Sequence, residues 1–254
     1  MMKHKINKNF ISSKEEIFSI IKRFHNEGKI FIAGKRNLIK IFDLNGKKVN
    51  VKSFKKPNII NKIAYRYFRK SKACRSFEYA NLLIEKEIGT PKPIAFLENF
   101  DIIGLKDSYY VCEQLDYDLT FRELVKTNFP DAENILRQFT EFSYELHQKG
   151  IEFKDHSPGN TLIIKGTNAK YNFFLVDLNR MNFHNSMSFE LRMKNLSRLT
   201  PKKDMIAIMS NEYAKLSGEN EKLIFDTMWK FTEEFQHRFQ RKKRLKKKLK
   251  FWKK

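Results

Sequence analysis

The chain has 254 residues and a mass of 30.5 kDa, enough for one large domain or two small lobes around a sizeable core. Hydrophobic residues make up 41% and charged residues 31%, which excludes a disordered chain, and no apolar run approaches the ~18 residues of a membrane-spanning helix. Fifty-one Lys and Arg against 29 Asp and Glu leave a formal charge of +22, a field that favours nucleic acid, anionic lipid or phosphorylated small molecules.

The opening Met1-Met2-Lys3-His4-Lys5-Ile6-Asn7-Lys8 has no apolar run behind its charges, so no secretory signal is expected. Cys74 and Cys112 have no metal-type spacing, which predicts neither a zinc site nor a disulfide framework and fits a reducing compartment.

Residues 29–56 read as three antiparallel strands. Lys29-Ile30-Phe31-Ile32-Ala33 is rich in strand formers, Gly34-Lys35-Arg36-Asn37 reads as a turn, and Leu38-Ile39-Lys40-Ile41-Phe42 alternates. Asn45-Gly46 is a strong hairpin signal. The following Lys48–Phe54 places Val49 and Val51 on one face and Asn50, Lys52 and Phe54 on the other. Phe77, Ala80 or Asn81, Ile84 and Ile88 then recur at helical spacing until Gly89, and Pro91 and Pro93 prevent continuation. Strands are expected at 92–97 and 108–112. The first ~115 residues therefore read as a small sheet with one helix inserted after its third strand.

The second half begins with an acidic helix start at Pro130-Asp131-Ala132-Glu133 and an apolar stripe of Ile135, Phe139, Phe142 and Leu146, closed by Gly150. Strands are expected at 161–164 and 171–176. From Ser188 onward the chain reads helical, and the last helix is expected to run into the basic tail.

One segment carries chemistry: Phe153-Lys154-Asp155-His156-Ser157-Pro158-Gly159-Asn160, a loop between a long helix and a short strand. A buried strand then ends abruptly in Asp177, and a carboxylate there needs a cation or a cleft. Asp155, Asn160 and Asp177 together suit phosphoryl transfer. One carboxylate accepts the proton of an acceptor hydroxyl, while an amide and a second carboxylate hold magnesium against nucleotide phosphates. Lys52, on its strand, suits a point charge for those phosphates, and Glu78, on the helix, is the expected ion-pair partner of Lys52.

In these residues the chain resembles the protein-kinase-like superfamily, and within it the bacterial lipopolysaccharide kinases that phosphorylate Kdo or heptose sugars. The resemblance spans roughly residues 29–200. It rests on Lys52, on Asp155-His156-Ser157-Pro158-Gly159-Asn160, on Leu175-Val176-Asp177-Leu178-Asn179-Arg180 and on Asn195-Leu196-Ser197-Arg198-Leu199. It implies an α+β, two-lobed kinase-like fold: a small antiparallel-sheet lobe with one helix, and a mainly helical C-terminal lobe. The implied organisation is an N-terminal extension at 1–28, a nucleotide-binding lobe at 29–115, a catalytic lobe at 116–240 and an amphipathic tail at 241–254. It implies ATP and Mg²⁺ as cofactors. Asp155 and Lys52 take catalytic roles. Lys52, Glu78, Gly34, Glu113 and Leu115 take the nucleotide, with adenine at the hinge Glu113-Gln114-Leu115. Asn160 and Asp177 hold the metal, and Lys154, His156, Asn179 and Arg180 lie near the acceptor. Phe153 and Lys154 depart from the usual His-Arg before the catalytic aspartate, Asn179 from the usual glycine, and a Gly-rich phosphate loop and an Ala-Pro-Glu are missing. These departures suit a sugar or small-molecule kinase rather than a regulated protein kinase.

Two basic segments mix cations with apolar residues. Lys55, Lys56, Lys62, Arg66, Arg69, Lys70, Lys72 and Arg75 interleave with Ile59, Ile60, Ile63, Tyr65, Tyr67 and Phe68. The tail Arg241–Lys254 holds ten basic and no acidic residues, with Lys246 among the cations and Leu249 and Trp252 on one helical face. An anionic membrane surface is therefore an expected partner, with a lipid A–Kdo-type glycolipid as acceptor, and nucleic acid is not. The expected protein is a lipopolysaccharide-core sugar kinase, cytoplasmic and peripheral on the inner membrane. A kinase-shaped membrane- or RNA-binding module without turnover, and a kinase for another small molecule or a protein, are the alternatives.

Overall fold

The computed structural model describes residues 1–34 and 37–251, with 247–251 as backbone alone. The chain divides into two compact units: residues 1–116 with 175–179, and residues 117–174 with 180–254.

The first unit is built on a six-stranded antiparallel sheet. Its strands are β1 (Met2–Ile6), β2 (Lys29–Ala33), β3 (Asn37–Leu44), β4 (Lys47–Phe54), β5 (Pro93–Phe100) and β6 (Leu105–Glu113), in the order β1-β5-β6-β4-β3-β2. The β3–β4 turn is the Asn45-Gly46 pair, with φ of 53° and 81°, the double positive φ that a tight hairpin requires. β4 alternates as expected: Val49 and Val51 face one way, Lys52 and Phe54 the other. Helix α1 (Lys14–Arg23) lays Ile17, Ile20 and Ile21, with Phe24 just beyond its end, on the Val49/Val51 face against Leu97 and Val111. Each such buried side chain contributes roughly 1.5–3 kcal/mol. The opposite face is covered by α3 (Lys72–Glu85), capped by the Ser71 hydroxyl, whose Phe77 ring lies 5.5 Å from Phe96.

Two features depart from the expected arrangement. Residues 1–28 are not an appendage: β1 pairs with β5 along its whole length, and α1 supplies much of one sheet face. β1 was hidden because it is a charged edge strand whose side chains are mostly exposed, so it carries no apolar alternation. Between β4 and β5 there are two helices, not one: α2 (Ile59–Tyr67), capped by Asn58, precedes α3.

The second unit begins with β7 (Leu119–Thr120) and α4 (Phe121–Lys126), joined by a capping box between Thr120 and Glu123. Helix α5 (Ala132–Gln148) buries Ile135, Phe139 and Leu146 as its periodicity predicts. Phe139 sits at the centre of the core, 4.5 Å from the Phe121 ring and 5.6 Å from Phe173. Helices α6 (Phe189–Leu196), α7 (Lys203–Ser217) and α8 (Glu221–Phe251) close this core with Met193, Met209, Tyr213, Ile224 and Met228. Strands β9 (Thr161–Lys165) and β10 (Tyr171–Leu175) neighbour each other as expected, and β8 (Ile151–Phe153) pairs with β11 (Met181–Phe183), Phe153 opposite Met181.

Candidate active site

In the first unit, the β4–β6 register sets Lys52 opposite Tyr110, on the face away from Val51. The Lys52 residue is 8% exposed. Its Nζ donates to Asp177 Oδ1 at 2.5 Å and lies 5.2 Å from the Phe54 ring centre. Asp177 is brought there by a pinned chain. The Leu175 N–H donates to the Gly89 carbonyl at 2.8 Å, and the Thr90 hydroxyl donates to the Leu175 carbonyl at 2.8 Å. Two residues on, Asp177 adopts φ of 62°, a left-handed conformation that costs a residue with a Cβ about 1–2 kcal/mol. The amide of Asn179 then donates to the same Oδ1 at 2.7 Å. Asn179 thus orients the Asp177 carboxylate and is itself 7% exposed.

Glu78 does not pair with Lys52. Both its oxygens accept from Lys70, at 2.7 and 2.9 Å. Glu78 lies on α3 where Lys70, just before the helix, reaches it first, and the Lys52 ammonium is already engaged by Asp177. The hinge segment is held by backbone bonds, Glu113 N–H to the Lys92 carbonyl and Gln114 N–H to the Lys48 carbonyl. The Leu115 carbonyl accepts from the Gln114 amide. Gly34 closes its turn with an N–H to the Asn37 carbonyl at 3.0 Å.

In the second unit, the β8–β11 ladder continues one step into the loop, where the Lys154 N–H donates to the Arg180 carbonyl. This sets Arg180 beside Asp155, with Nη1 3.2 and 3.4 Å from its two oxygens. Arg198, beyond the end of α6, donates to Asp155 Oδ1 at 2.8 Å and to the Lys154 carbonyl at 2.6 Å. Oδ1 of Asp155 thus carries both cations, and Oδ2 is reached only by the longer Arg180 bond among the described residues. The loop closes on itself through the Asn160 amide, which donates to the Asp155 carbonyl at 2.8 Å and leaves Asn160 Oδ1 for another partner. The Lys154 side chain is exposed.

His156, placed near the acceptor by the resemblance, instead packs locally. It is fully buried, with Phe139 and Phe153 rings 5.5 and 5.6 Å away, and burial lowers its pKa to about 4. It packs between these two rings beneath the loop. His147, a structural residue in α5, bonds Tyr213 and Asn195, and burial lowers its pKa to about 3. The Asn195 amide donates to the Phe153 carbonyl at 3.0 Å, so this network braces the residue two before Asp155. Arg198 and Asn195 are the site residues that sequence reasoning left without a role. Their signal was the segment 195–199, which stood out only as a family likeness.

The oxygen donors fit a hard divalent ion. Asp177 Oδ2 takes no hydrogen bond among the described residues, and no group of three or more His, Cys, Asp or Glu gathers among them. An ion held there by Asp177 would take most of its shell from phosphate and water, as magnesium does. Lys246 is exposed on α8, while Leu249 and Trp252 lie outside the described side chains. No helix among the described residues is long and apolar enough to cross a membrane.

No family model matches the sequence, and no curated protein matches it. Solved structures do. The fold is similar to that of WaaP in complex with acyl carrier protein, at a TM-score of 0.62 and 13% identity over 94% of this chain and 98% of that one. It is also similar to the Rio2 kinase–ADP/Mg²⁺–phosphoaspartate complex from Chaetomium thermophilum, at a TM-score of 0.50 and 16% identity over 87% of this chain and 75% of that one. The chain has a protein-kinase-like α+β fold, with an antiparallel-sheet lobe and a mainly helical lobe.

Proposed function

We propose that the protein is an ATP- and magnesium-dependent kinase that phosphorylates a sugar hydroxyl, Kdo or heptose, of the lipopolysaccharide inner core. The observation that carries the reading is the Lys52–Asp177 pair. An amine and a carboxylate 125 positions apart meet at 2.5 Å, one buried on a strand and the other held in a left-handed turn. The buried ammonium needs a counter-charge, and nucleotide phosphate can take the place of the carboxylate once a metal engages Asp177. The likeness in fold to WaaP supports the kinase-like architecture, and the acceptor class rests on the resemblance carried by residues 155–160, 175–180 and 195–199.

Lys52 neutralises the non-transferring phosphates of the nucleotide, exchanging its carboxylate for phosphate oxygens. Asp177, freed from that pair and held by Asn179, is assigned to magnesium. Asn160 keeps the metal role that its motif implies and offers Oδ1. Bound magnesium supplies charge that offsets the negative charge on the phosphates. Asp155 Oδ2 accepts the hydrogen bond of the attacking hydroxyl and then its proton, as the new O–P bond forms and the bond to ADP breaks. Arg180 and Arg198 hold that carboxylate in place and add positive charge toward an anionic acceptor. Adenine is assigned to the 113–115 hinge.

The test is transfer of labelled γ-phosphate from ATP to purified Kdo–lipid A and to its heptosylated form, with and without Mg²⁺. Incorporation into one of them, lost with EDTA and in Asp155→Asn, is the expected result. Magnesium-dependent ATP binding with no transfer to either glycolipid would leave a kinase-shaped binding module instead.

A further inference from the structure

Helix α2 has its amphipathicity inverted. It carries Ile59, Ile60, Ile63 and Tyr67, yet none of its residues is buried. Ile59, Ile63 and Tyr67 follow one another at four-residue spacing with Ile60 beside them, so they form a single stripe. Ile60 is 78% exposed, and Phe68, just past the helix, is 82% exposed. The side that docks on the protein is the polar one. Lys62 pairs with Asp101 at 2.5 Å and holds that carboxyl down at about pKa 2, while Arg66 donates to the carbonyls of Asp101 and Ile102. Gly104 permits this approach: a Cβ there would overlap the Lys62 carbonyl. The same β5–β6 turn lifts Ile102 into solvent at 97% exposure beside the helix. An ordinary surface helix turns its isoleucines inward and its lysines outward. Here cations and backbone carbonyls clamp the helix so that its apolar stripe and the Ile102 tip face out together.

The charge around that stripe is predominantly positive, although Lys62 and Lys70 are paired with Asp101 and Glu78. Between Asp43 and Glu78 the sequence has no acidic residue, and residues 55–75 contribute eight Lys and Arg. A basic cavity of about 510 Å³ opens at the C-terminal end of α2, where Lys3, Arg66, Arg69 and Lys70 meet Phe68 and Phe100, with the Glu98 carboxylate also in its lining. Apolar side chains at a tip with cations behind them match the boundary of an anionic bilayer, where rings and isoleucines enter the acyl edge and cations meet phosphates.

We infer that the outward face of α2 together with the Ile102 tip is a docking surface for an anionic phospholipid membrane. This does not rest on kinase activity, and its test uses no nucleotide. The ten basic residues of the C-terminal tail would themselves attract anionic vesicles, so the readout must be local to α2. The full-length Ile60→Cys protein is labelled with an environment-sensitive nitrobenzoxadiazole probe. Cys74 and Cys112 are buried, and burial pushes both thiols up to about pKa 12, so the new thiol takes the label. Vesicles of phosphatidylglycerol and phosphatidylethanolamine should shift the probe emission to the blue, and pure phosphatidylcholine vesicles should not. In unlabelled full-length protein, Ile59→Ser combined with Phe68→Ser should weaken co-sedimentation with the anionic vesicles at least tenfold while leaving the melting curve in place. Both positions are solvent-exposed, so the fold does not need them. Vesicle binding with the probe still in water would assign the membrane contact to the tail alone and overturn the inference. So would a concentration-dependent dimer without vesicles that buries the probe, which would make a second copy the occupant.

Discussion

Arg198 reaches back 43 positions to donate to Asp155 Oδ1 at 2.8 Å, and with the same nitrogen to the Lys154 carbonyl at 2.6 Å. Its guanidinium also lies over the Phe235 ring at 5.2 Å, so the planar group is fixed on two sides. An ammonium keeps the charge but loses the planar stacking and the fixed geometry. Arg198→Lys should therefore lower kcat about tenfold or more with the KM for ATP unchanged, and Arg198→Ala should lower it further. Unchanged kcat in both variants would remove Arg198 from the positioning of Asp155.

At Asp177 the charge and the backbone separate cleanly. Asp177→Asn keeps the size and the turn but removes the carboxylate, and Asp177→Gly also relieves the φ of 62°. Both should abolish the Mg²⁺-dependent thermal stabilisation by ADP and cut phosphate transfer by on the order of a hundredfold or more. The glycine variant should melt no lower than the asparagine variant, since it releases strain. Magnesium-dependent stabilisation surviving in either variant would reassign the metal to another residue.

Glu78 gives the opposite expectation. Its partner Lys70 is largely exposed, and ion pairs of that kind contribute about 0–1 kcal/mol. Glu78→Gln should leave both the melting temperature and ATP binding close to the parent. A large loss of nucleotide affinity would mean that Glu78 exchanges Lys70 for Lys52 when nucleotide binds.

His147 and His156 make stability depend on pH. Both are neutral in the fold, with pKa values near 3 and 4, while the unfolded chain takes up protons near pH 6.5. Between those limits the unfolded state binds more protons, so stability is full above about pH 6.5 and falls as the pH drops toward 4, by up to about 1.4 kcal/mol per pH unit for each histidine. Urea unfolding at pH 7, 6, 5 and 4.5 should show that fall, and His156→Gln should reduce its slope. Equal slopes would place the acid-sensitive groups elsewhere.

The features legible in the sequence are those whose signal is local. Asn45-Gly46 announces a hairpin because only certain residues accept two positive φ values, and Lys52 declares its face by alternation with Val49 and Val51. Asp155 and Asn160 stand five apart in a loop that the Asn160 amide closes. What stayed hidden depends on partners far along the chain or on surfaces without apolar periodicity. Nothing in the spacing of α3 tells that Lys70 meets Glu78 before Lys52 does. The roles of Arg198 and Asn195 follow from where α6 packs, and the burial of His156 follows from Phe139 and Phe153 closing over it. α2 is not legible as a helix because a helix with no inward apolar face looks like a mixed basic segment.

The pairing of β1 with β5 has a consequence for how the molecule forms. The Met1 ammonium bonds the Phe100 carbonyl, ninety-nine positions away. During synthesis the first strand therefore emerges long before its neighbour exists, and α1, which follows it, must cover strands not yet made. The sheet can close only after β6, which ends at Glu113 and joins β5 to β4, has left the ribosome. Until then β1 is an unpaired strand whose Lys3 and Lys5 discourage it from joining other nascent chains.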